Sequence, residues 1–216
     1  MPTVYGVKAS PFVRKVRVVL AEKRVAYELE PIVPLNVPPE YRRISPLGKV
    51  PAFRDGDRAL ADSSVICAYL ERTHPEPPLY PSDPYVYARA LWFEEYGDTA
   101  LAETLTGVIF FQRIVAPRFL GRATDDAVVD TATKTRVPPL FDYLESQLGG
   151  GDFLAGTGFS IGDIAIATHF VNARYAGFGV DERRWPALAR YVVRILARLS
   201  FRTLVAEEES MLGQAA

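Results

Sequence analysis

Two periodicities of hydrophobic residues organise the first part of the chain. Short runs rich in β-branched and aromatic residues at 3–7 and 27–33 predict β-strands. Between them, over 12–23, apolar residues recur every three or four positions among charged ones, which predicts a helix with one buried face. Ser10 followed by Pro11 is typical of the start of such a helix. We therefore expect a β-α-β opening, the unit that builds parallel sheets.

The next segment reads as a loop followed by a hairpin. Prolines and glycines are frequent over 34–49, which predicts a loop with at most one helical turn. Two short strands, 51–54 and 58–61, flank Asp55 and Gly56, a pair that favours a tight β-hairpin.

A second helix and a proline-rich linker complete the first domain. Asp62 and Ser63 precede apolar residues at helical spacing, which predicts a helix that ends near residue 73. Five prolines then fall within 75–84, a density that neither a helix nor a strand tolerates. The predicted organisation is an α/β domain over 1–76, a linker over 77–85 and an all-helical domain over 86–216.

The helical domain is predicted from periodicity and from helix caps. Ser160 and Asp163 form a capping box, with Asp in place of the usual Glu, ahead of a long apolar run. Pro138 and Pro139 fall inside one predicted helix and should kink or split it. The predicted helices, which a short helical tail follows, are 85–107, 108–120, 124–148, 161–177 and 186–199.

Charge and composition narrow the classes of partner. The 216 residues carry a net charge of -1, which argues against nucleic acid or an acidic lipid surface as the main partner. The spacing of the basic residues in the first helix fits a solvent-exposed face. These residues are Arg14, Lys15, Arg17, Lys23 and Arg24.

The cysteine and histidine content and the pattern of apolar residues limit the expected redox chemistry, metal binding and cellular location. One cysteine, Cys67, excludes an intrachain disulfide and dithiol chemistry, and we expect it to be a buried small hydrophobe. Two histidines distant in sequence give no zinc pattern. Lys8, Ser10 and Pro11 interrupt the apolar region that a signal peptide would need, and no apolar stretch approaches the roughly 18 residues of a membrane span. A cytoplasmic protein without a membrane partner is expected.

Several motifs occur in an order that resembles the cytosolic glutathione transferase family. The segment 10–17, Ser-Pro-Phe-Val-Arg-Lys-Val-Arg, is similar to the serine-type active-site segment of that family. Similar motifs stand at Gly48-Lys49-Val50-Pro51, at Asp62-Ser63, at 39–41 (Pro-Glu-Tyr) and at the capping box over 160–163. The resemblance implies a thioredoxin-like domain followed by a helical-bundle domain. It also implies glutathione as co-substrate, no metal, a homodimer and a role in detoxification.

The resemblance implies that Ser10 is the catalytic residue, and simple chemistry explains how. A free thiol has a pKa near 8.5, whereas the nucleophile is the thiolate. A helix N-terminus favours an anion, and a hydroxyl there can donate a hydrogen bond to sulfur. Each unit of pKa corresponds to about 1.4 kcal/mol, so one charge-assisted hydrogen bond of roughly 1.5–3 kcal/mol lowers the pKa by one or two units. Tyr5 is a competing donor, because other classes of the family use a tyrosine near the end of the first strand.

The resemblance also implies a set of glutathione-binding residues. A cis peptide bond before Pro51 would turn the backbone of Val50 toward the cysteinyl backbone of glutathione, like an added strand. Ser63 suits the γ-glutamyl carboxylate, and Asp62 its ammonium group, although the family more often has Glu or Gln at that position. The remaining residues implied in binding are Phe12 beside the serine, Asn36 for the glycyl end and Lys49 for a carboxylate.

The expected reaction is attack of the glutathione thiolate, stabilised by Ser10, on a small hydrophobic electrophile. A glutathione-dependent isomerase or dehalogenase would share the same glutathione site. A non-catalytic binding protein on the same fold is a further alternative, because a fold does not fix a function. A glutaredoxin-like redox role is excluded, since Ser10 and Val13 stand where that chemistry needs cysteines.

Overall fold

A computed structural model describes residues 1–34 and 36–214 of the chain. The N-terminal part contains a mixed four-stranded sheet in the order β2-β1-β3-β4. The strands are β1 (Thr3–Tyr5), β2 (Glu28–Glu30), β3 (Ala52–Asp55) and β4 (Arg58–Ala61). β1 runs parallel to β2 and antiparallel to β3, and Val4 pairs with Leu29 and Phe53, which confirms the predicted β-α-β opening. Strands β1 and β2 are both shorter than the predicted 3–7 and 27–33. Pairing ends near Gly6, where φ is +148° and the chain leaves the sheet.

Two helices pack on one face of this sheet. They are α1 (Pro11–Glu22) and α2 (Ser63–Thr73), and a 3₁₀ helix spans Pro39–Arg43 in the predicted loop. Because side chains alternate along a strand, Val4 faces the core under the helices, whereas Tyr5 lies on the opposite face in a small cluster with Tyr41. The fold thus directs α1 and Tyr5 to different sides of the sheet.

The regular elements of the C-terminal part are all helices among the described residues, apart from one isolated β-bridge between Phe153 and Gly156. Its α-helices are α3 (Pro84–Tyr96), α4 (Ala116–Phe119), α5 (Asp126–Thr131), α6 (Val137–Leu148), α7 (Ile161–Tyr175), α8 (Pro186–Leu196) and α9 (Leu199–Gln214). The architecture is a thioredoxin-like domain followed by a helical domain, as predicted. The division at 77–85 stays a prediction, although the Lys23 ammonium donates to the carbonyls of His74 and Pro77 and so fixes the start of that segment.

The break predicted between 85–107 and 108–120 is wrong. The chain is helical from Pro84 to Phe119, with π-helical geometry over Gly97–Val115. A glycine such as Gly107 costs only about 1 kcal/mol inside a helix, and the flanking Leu105 and Ile109 are fully buried. This 36-residue run is long and apolar enough to cross a membrane by length and composition alone, a property that it shares with core helices of soluble proteins.

The other predicted helices need smaller corrections. The predicted span 124–148 contains a π-helical stretch, Ala132–Arg136, immediately before α6, whose first turn contains Pro138 and Pro139. Neither proline has an N–H to donate to the preceding turn, so regular α-helical bonding is interrupted there. The predicted short tail is a helix of 16 residues, α9.

The capping box at the start of α7 belongs to a larger buried network. Asp163 Oδ2 accepts from the Ser160 amide at 2.9 Å. Asp163 Oδ1 accepts from the Leu154 amide at 3.1 Å and from the Tyr191 hydroxyl at 2.9 Å. This aspartate therefore joins the α7 N-terminus to the preceding loop and to α8.

The prediction that the basic residues over 14–24 face solvent is wrong for four of the five, and only Arg24 is exposed. Arg14 and Lys15 are fully buried, and Arg17 and Lys23 are nearly so. The cause is that α7 and α9 of the helical domain cover the outer side of α1, and that carboxylates of α9 and of the helical run from Pro84 pair with Arg14, Arg17 and Lys15. These three residues therefore belong to the contact between the domains, whereas Lys23 pairs with Glu71 of α2 within the first domain.

Candidate active site

Ser10 is the N-cap residue of α1, and its hydroxyl proton is unused. The Ser10 oxygen accepts from the Val13 amide at a long 3.4 Å, and the Ser10 amide donates to the Val7 carbonyl at 3.1 Å. No described residue accepts a hydrogen bond from the Ser10 hydroxyl, and none accepts from the Phe12 amide in the first turn. A helix N-terminus with a free hydroxyl and a free amide can bind an anion.

Phe12 contacts a buried histidine of the second domain. Its ring lies 5.6 Å from that of His169, at an interplanar angle of 76°. His169 Nδ1 lies 2.9 Å from the Thr106 hydroxyl. Burial, together with the positive charges of Arg14 and Lys15, lowers the pKa of His169 to about 3, so the ring is neutral at physiological pH.

The loop around Pro51 lies beside the start of α1. The Val50–Pro51 peptide bond is cis, and Val50 has no backbone hydrogen bond to any described residue. The hydroxyls of Tyr41 and Ser45 donate to the carbonyl of the preceding residue, Lys49, at 2.9 and 2.8 Å. These contacts fix the loop while leaving the Val50 N–H and C=O available for a ligand.

Gly6 permits that close approach. A methyl group at this position would lie 2.4 Å from Val13 Cγ2 and 3.2 Å from Val50 Cβ. The absence of a side chain therefore lets the first turn of α1 and the Pro51 loop meet.

Asp62 and Ser63 lie at the N-terminus of α2. Asp62 has φ of +79°, unusual for a residue other than glycine, and its Oδ1 accepts from the amides of Ser64 and Val65. No described residue hydrogen-bonds to the hydroxyl or the amide of the buried Ser63. The Ser63 N–H and O–H therefore form a second pair of donors at a helix N-terminus.

A buried cation joins this second helix end to α1 and to the helical domain. The Lys15 ammonium donates to Ser64 Oγ at 2.9 Å and lies 2.5 Å from Asp98 Oδ2 and 2.7 Å from Glu94 Oε1. Burial disfavours the ammonium, but the two carboxylates outweigh this cost and raise the pKa of Lys15. Sequence reasoning missed this group, because its members are far apart in the chain.

Three other predicted residues, Asn36, Lys49 and Tyr5, have no contact that places them at the N-terminus of α1 or of α2. Asn36 and Lys49 are exposed, and neither side chain has a partner among the described residues. Tyr5 lies on the opposite face of the sheet, where its hydroxyl accepts from Arg54 Nε at 3.2 Å and its ring lies 6.2 Å from that of Tyr41. Tyr5 therefore belongs to the small cluster on the face of the sheet away from α1.

Two further features bear on the site. A groove of about 300 Å³ between the π-helical segment and α5, lined by Val108, Val128 and Arg136 among others, includes none of the predicted glutathione residues. Within residues 1–34 and 36–214, no group of three or more His, Cys, Asp or Glu could hold a metal ion. Cys67 is fully buried as predicted, and that burial raises the pKa of its thiol.

Comparison with known families decides the identity. Residues 4–78 match the sequence model described as glutathione S-transferase, N-terminal domain, and residues 126–194 match that of the C-terminal domain. The chain belongs to the glutathione S-transferase family. Members of this family use glutathione, and most of the relatives are named as transferases.

Individual relatives are similar over nearly the whole chain. A glutathione S-transferase of Hyoscyamus muticus is 29% identical over 206 residues, which cover 90% of this chain and 93% of the relative. The crystal structure of a glutathione S-transferase from Rhodospirillum rubrum F11 is similar with a TM-score of 0.85, 27% identity and coverage of 94% and 91%. FtsZ-localized protein A of Caulobacter vibrioides is 25% identical over 99% of this chain and 95% of its own length.

Proposed function

We propose that this glutathione S-transferase family member is a glutathione transferase whose Ser10 hydroxyl stabilises the thiolate of glutathione. The thiolate then attacks an electrophilic carbon of a small hydrophobic molecule. A carbon–sulfur bond forms, the electron pair of the broken bond departs with the leaving group, and the thiol proton goes to solvent. Ser10 donates a hydrogen bond and forms no covalent bond.

The free hydroxyl proton of Ser10 carries this proposal. A hydroxyl at a helix N-cap normally serves as an acceptor for an amide of the first turn, and here that contact is long, at 3.4 Å. The proton remains available for sulfur, and the unpaired Phe12 amide adds a second donor at the positive end of α1. Together they supply what a thiolate needs.

The other free groups match the rest of glutathione. The Val50 N–H and C=O suit the cysteinyl backbone, and the Ser63 hydroxyl and amide suit the γ-glutamyl carboxylate. Asp62 uses Oδ1 to cap α2, which leaves Oδ2 for the γ-glutamyl ammonium. Lys49 and Asn36, both exposed, are assigned to the glycyl end.

Ultraviolet titration of bound glutathione tests the role of Ser10. We expect wild type to lower the thiol pKa of bound glutathione by about one to two units from its free value, and Ser10→Ala to reverse about one unit. Ser10→Gly is the sharper variant, because glycine costs a helix N-cap only a few tenths of a kcal/mol while it removes the hydroxyl. Ser10→Thr keeps the hydroxyl and should keep the low pKa.

Each outcome of the titration separates one hypothesis from another. If wild type binds glutathione but leaves the thiol pKa of glutathione at its free value, the activation hypothesis is wrong. Equal conjugation rates for wild type, Ser10→Gly and Ser10→Ala would move the role to another donor, with the Phe12 amide the next candidate.

The proposal also covers the location, the oligomeric state and the substrate class that the family implies. We propose a cytoplasmic homodimer that acts on small apolar electrophiles, in keeping with the net charge of -1 and the ordinary globular composition of the chain. Light scattering at micromolar concentration measures the oligomeric state, and a monomer would contradict this part.

A second candidate function is a non-catalytic binding protein. The similarity to FtsZ-localized protein A over 99% of the chain favours it, and the solved structure titled FzlA from C. crescentus is similar with a TM-score of 0.86. Calorimetry with glutathione distinguishes the two candidates. No detectable binding at millimolar glutathione would favour the binding protein over the transferase.

A further inference from the structure

Two side chains of α7 bind the peptide units on either side of Ser10. Asn172 Nδ2 donates to the Ala9 carbonyl at 3.3 Å. Thr168 Oγ1 donates to the Pro11 carbonyl at 2.8 Å. Both donors are fully buried and come from the second domain, more than 150 positions away in sequence. The orientation of the Ser10 peptide is therefore fixed by α7 as well as by its own helix.

Arg14 determines which way the Asn172 amide faces. Its Nη1 donates to Asn172 Oδ1 at 2.7 Å and to the Thr168 carbonyl at 2.8 Å. A guanidinium has donors only, so it selects the oxygen of the amide and turns the nitrogen toward Ala9. Arg14 thus ensures that the nitrogen of the Asn172 amide, and not its oxygen, faces the Ala9 carbonyl next to Ser10.

Glu208 of α9 holds Arg14 in this position. Both side chains are fully buried, and Arg14 Nε donates to Glu208 Oε1 at 2.9 Å within their ion pair. The Tyr175 hydroxyl also donates to Glu208, at 3.0 Å. A buried guanidinium without its carboxylate is strongly unfavourable, so the position of α9 is coupled to that of Arg14.

We propose that Thr168 and Asn172 are positioning residues for Ser10, and that the buried Arg14–Glu208 pair orients Asn172 for this role. The inference rests on the proposed function, since it assigns to Ser10 the hydrogen bond to the glutathione thiolate. Such a bond weakens steeply when the donor moves off line, so the backbone on both sides of the serine must be fixed. Neither residue contacts glutathione; both act through Ser10.

Isosteric variants alter the two contacts one at a time. Thr168→Val removes the hydroxyl that donates to Pro11, together with the 3.2 Å hydrogen bond that this hydroxyl accepts from Arg14 Nη1, and leaves the backbone carbonyl that Arg14 uses. Thr168→Ser is its matched control, because it keeps a hydroxyl at the same position. Asn172→Asp keeps an oxygen acceptor for Arg14 but places a second oxygen opposite the Ala9 carbonyl, so it reverses that one contact.

The first measurement is the thiol pKa of bound glutathione, by ultraviolet titration. We expect Thr168→Val and Asn172→Asp to raise it by about half a unit to one unit, while glutathione affinity at pH values below both pKa values changes less than about twofold. Thr168→Ser should match wild type. A general loss of structure would lower affinity in all three variants, which this comparison distinguishes from a loss of positioning.

The second measurement needs no glutathione. In the ligand-free protein, the amides of Ser10, Val13 and Arg14 each donate to an acceptor near the helix start. Their hydrogen exchange should speed up about tenfold in Thr168→Val and Asn172→Asp, the equivalent of about 1.4 kcal/mol, and should stay at the wild-type rate in Thr168→Ser.

The two measurements separate failure of the inference from failure of the proposed function. A free-like thiol pKa in wild type would refute the proposed function, and exchange would still decide whether α7 fixes the Ser10 segment. The inference is overturned if wild type lowers the thiol pKa and both variants keep that lowered value, or if exchange at Ser10, Val13 and Arg14 is unchanged in both.

Discussion

The Lys15 ammonium lies 2.5 Å from Asp98 Oδ2 and 2.7 Å from Glu94 Oε1, inside the contact between the two domains. The Lys15 side chain is fully buried. Its two carboxylate partners come from the helical run that begins with α3. Lys15→Met keeps the aliphatic volume but leaves two carboxylates in the interior without their cation. We expect the free energy of unfolding to fall by about 3–5 kcal/mol, measured by equilibrium urea unfolding.

An exposed pair is the control for this prediction. Lys134 lies 2.6 Å from Asp130 on the surface of the helical domain, one turn apart. Lys134→Met should leave the urea midpoint at the wild-type value, because exposed ion pairs contribute little. If both methionine variants shifted the midpoint equally, burial would not be the cause.

Gly97 lies at a close approach between two helices of the second domain. A Cβ atom at this position would lie 2.8 Å from the Ala165 carbonyl carbon and 2.9 Å from the Ala165 oxygen of α7. These are backbone atoms, so Gly97→Ala must push the helices apart. We expect a loss of about 1–3 kcal/mol in the free energy of unfolding, measured by denaturant titration.

Gly107 in the same helical run gives the matched control. A Cβ atom there meets only the Ala102 carbonyl oxygen, at 3.4 Å. Gly107→Ala should therefore keep or raise stability, by up to about 1 kcal/mol of helix propensity. The explanation from packing would be wrong if the two alanine variants were destabilised alike.

Local patterns predicted most of the elements because their causes are local. The Asp55-Gly56 hairpin, the capping box at Ser160 and the N-cap at Ser10 each depend on residues within a few positions. The break predicted near Gly107 failed because tertiary burial outweighed a single weak helix former.

The surroundings of the candidate site were not predictable in the same way. Arg14 has the spacing of a solvent-facing residue, and only its contacts with residues of α7 and α9, more than 150 positions later, show that it is buried. The positions of Thr168 and Asn172 carry no local motif, because their partners are carbonyl groups that any residue could provide. The helix ends were foreseeable, whereas the buried polar network behind them was not.

Asp163 accepts four hydrogen bonds in the interior, so its substitution should destabilise the fold far more than substitution of an ordinary helix cap. Its partners are the amides of Leu154 and Ser160 and the hydroxyls of Ser160 and Tyr191. Asp163→Ala leaves buried donors unsatisfied, and we expect a loss of about 3–5 kcal/mol in the free energy of unfolding by urea titration.

Asp125 is the matched control for this substitution, since it caps α5 at an exposed position through the Val128 amide alone. Asp125→Ala should cost about 1 kcal/mol, as N-cap losses usually do. Comparable losses in the two variants would mean that the buried network adds nothing to the cap.

The histidine behind Phe12 should make stability depend on pH. Burial first, and then the charges of Arg14 and Lys15, lower the pKa of His169 from 6.5 to about 3. As pH falls below about 6.5 the unfolded chain binds a proton at this ring and the folded chain does not, so unfolding becomes easier. The stabilisation is complete above about pH 6.5 and falls by up to about 1.4 kcal/mol per pH unit down to the folded-state pKa.

His169→Gln tests that dependence. Urea unfolding from about pH 7 to pH 5 should show wild type losing about 2 kcal/mol more than His169→Gln, because glutamine keeps a polar partner for Thr106 without titrating. If His169→Gln kept the wild-type slope, the ring would be protonated in the folded protein, and the assignment of a neutral histidine behind Phe12 would be wrong.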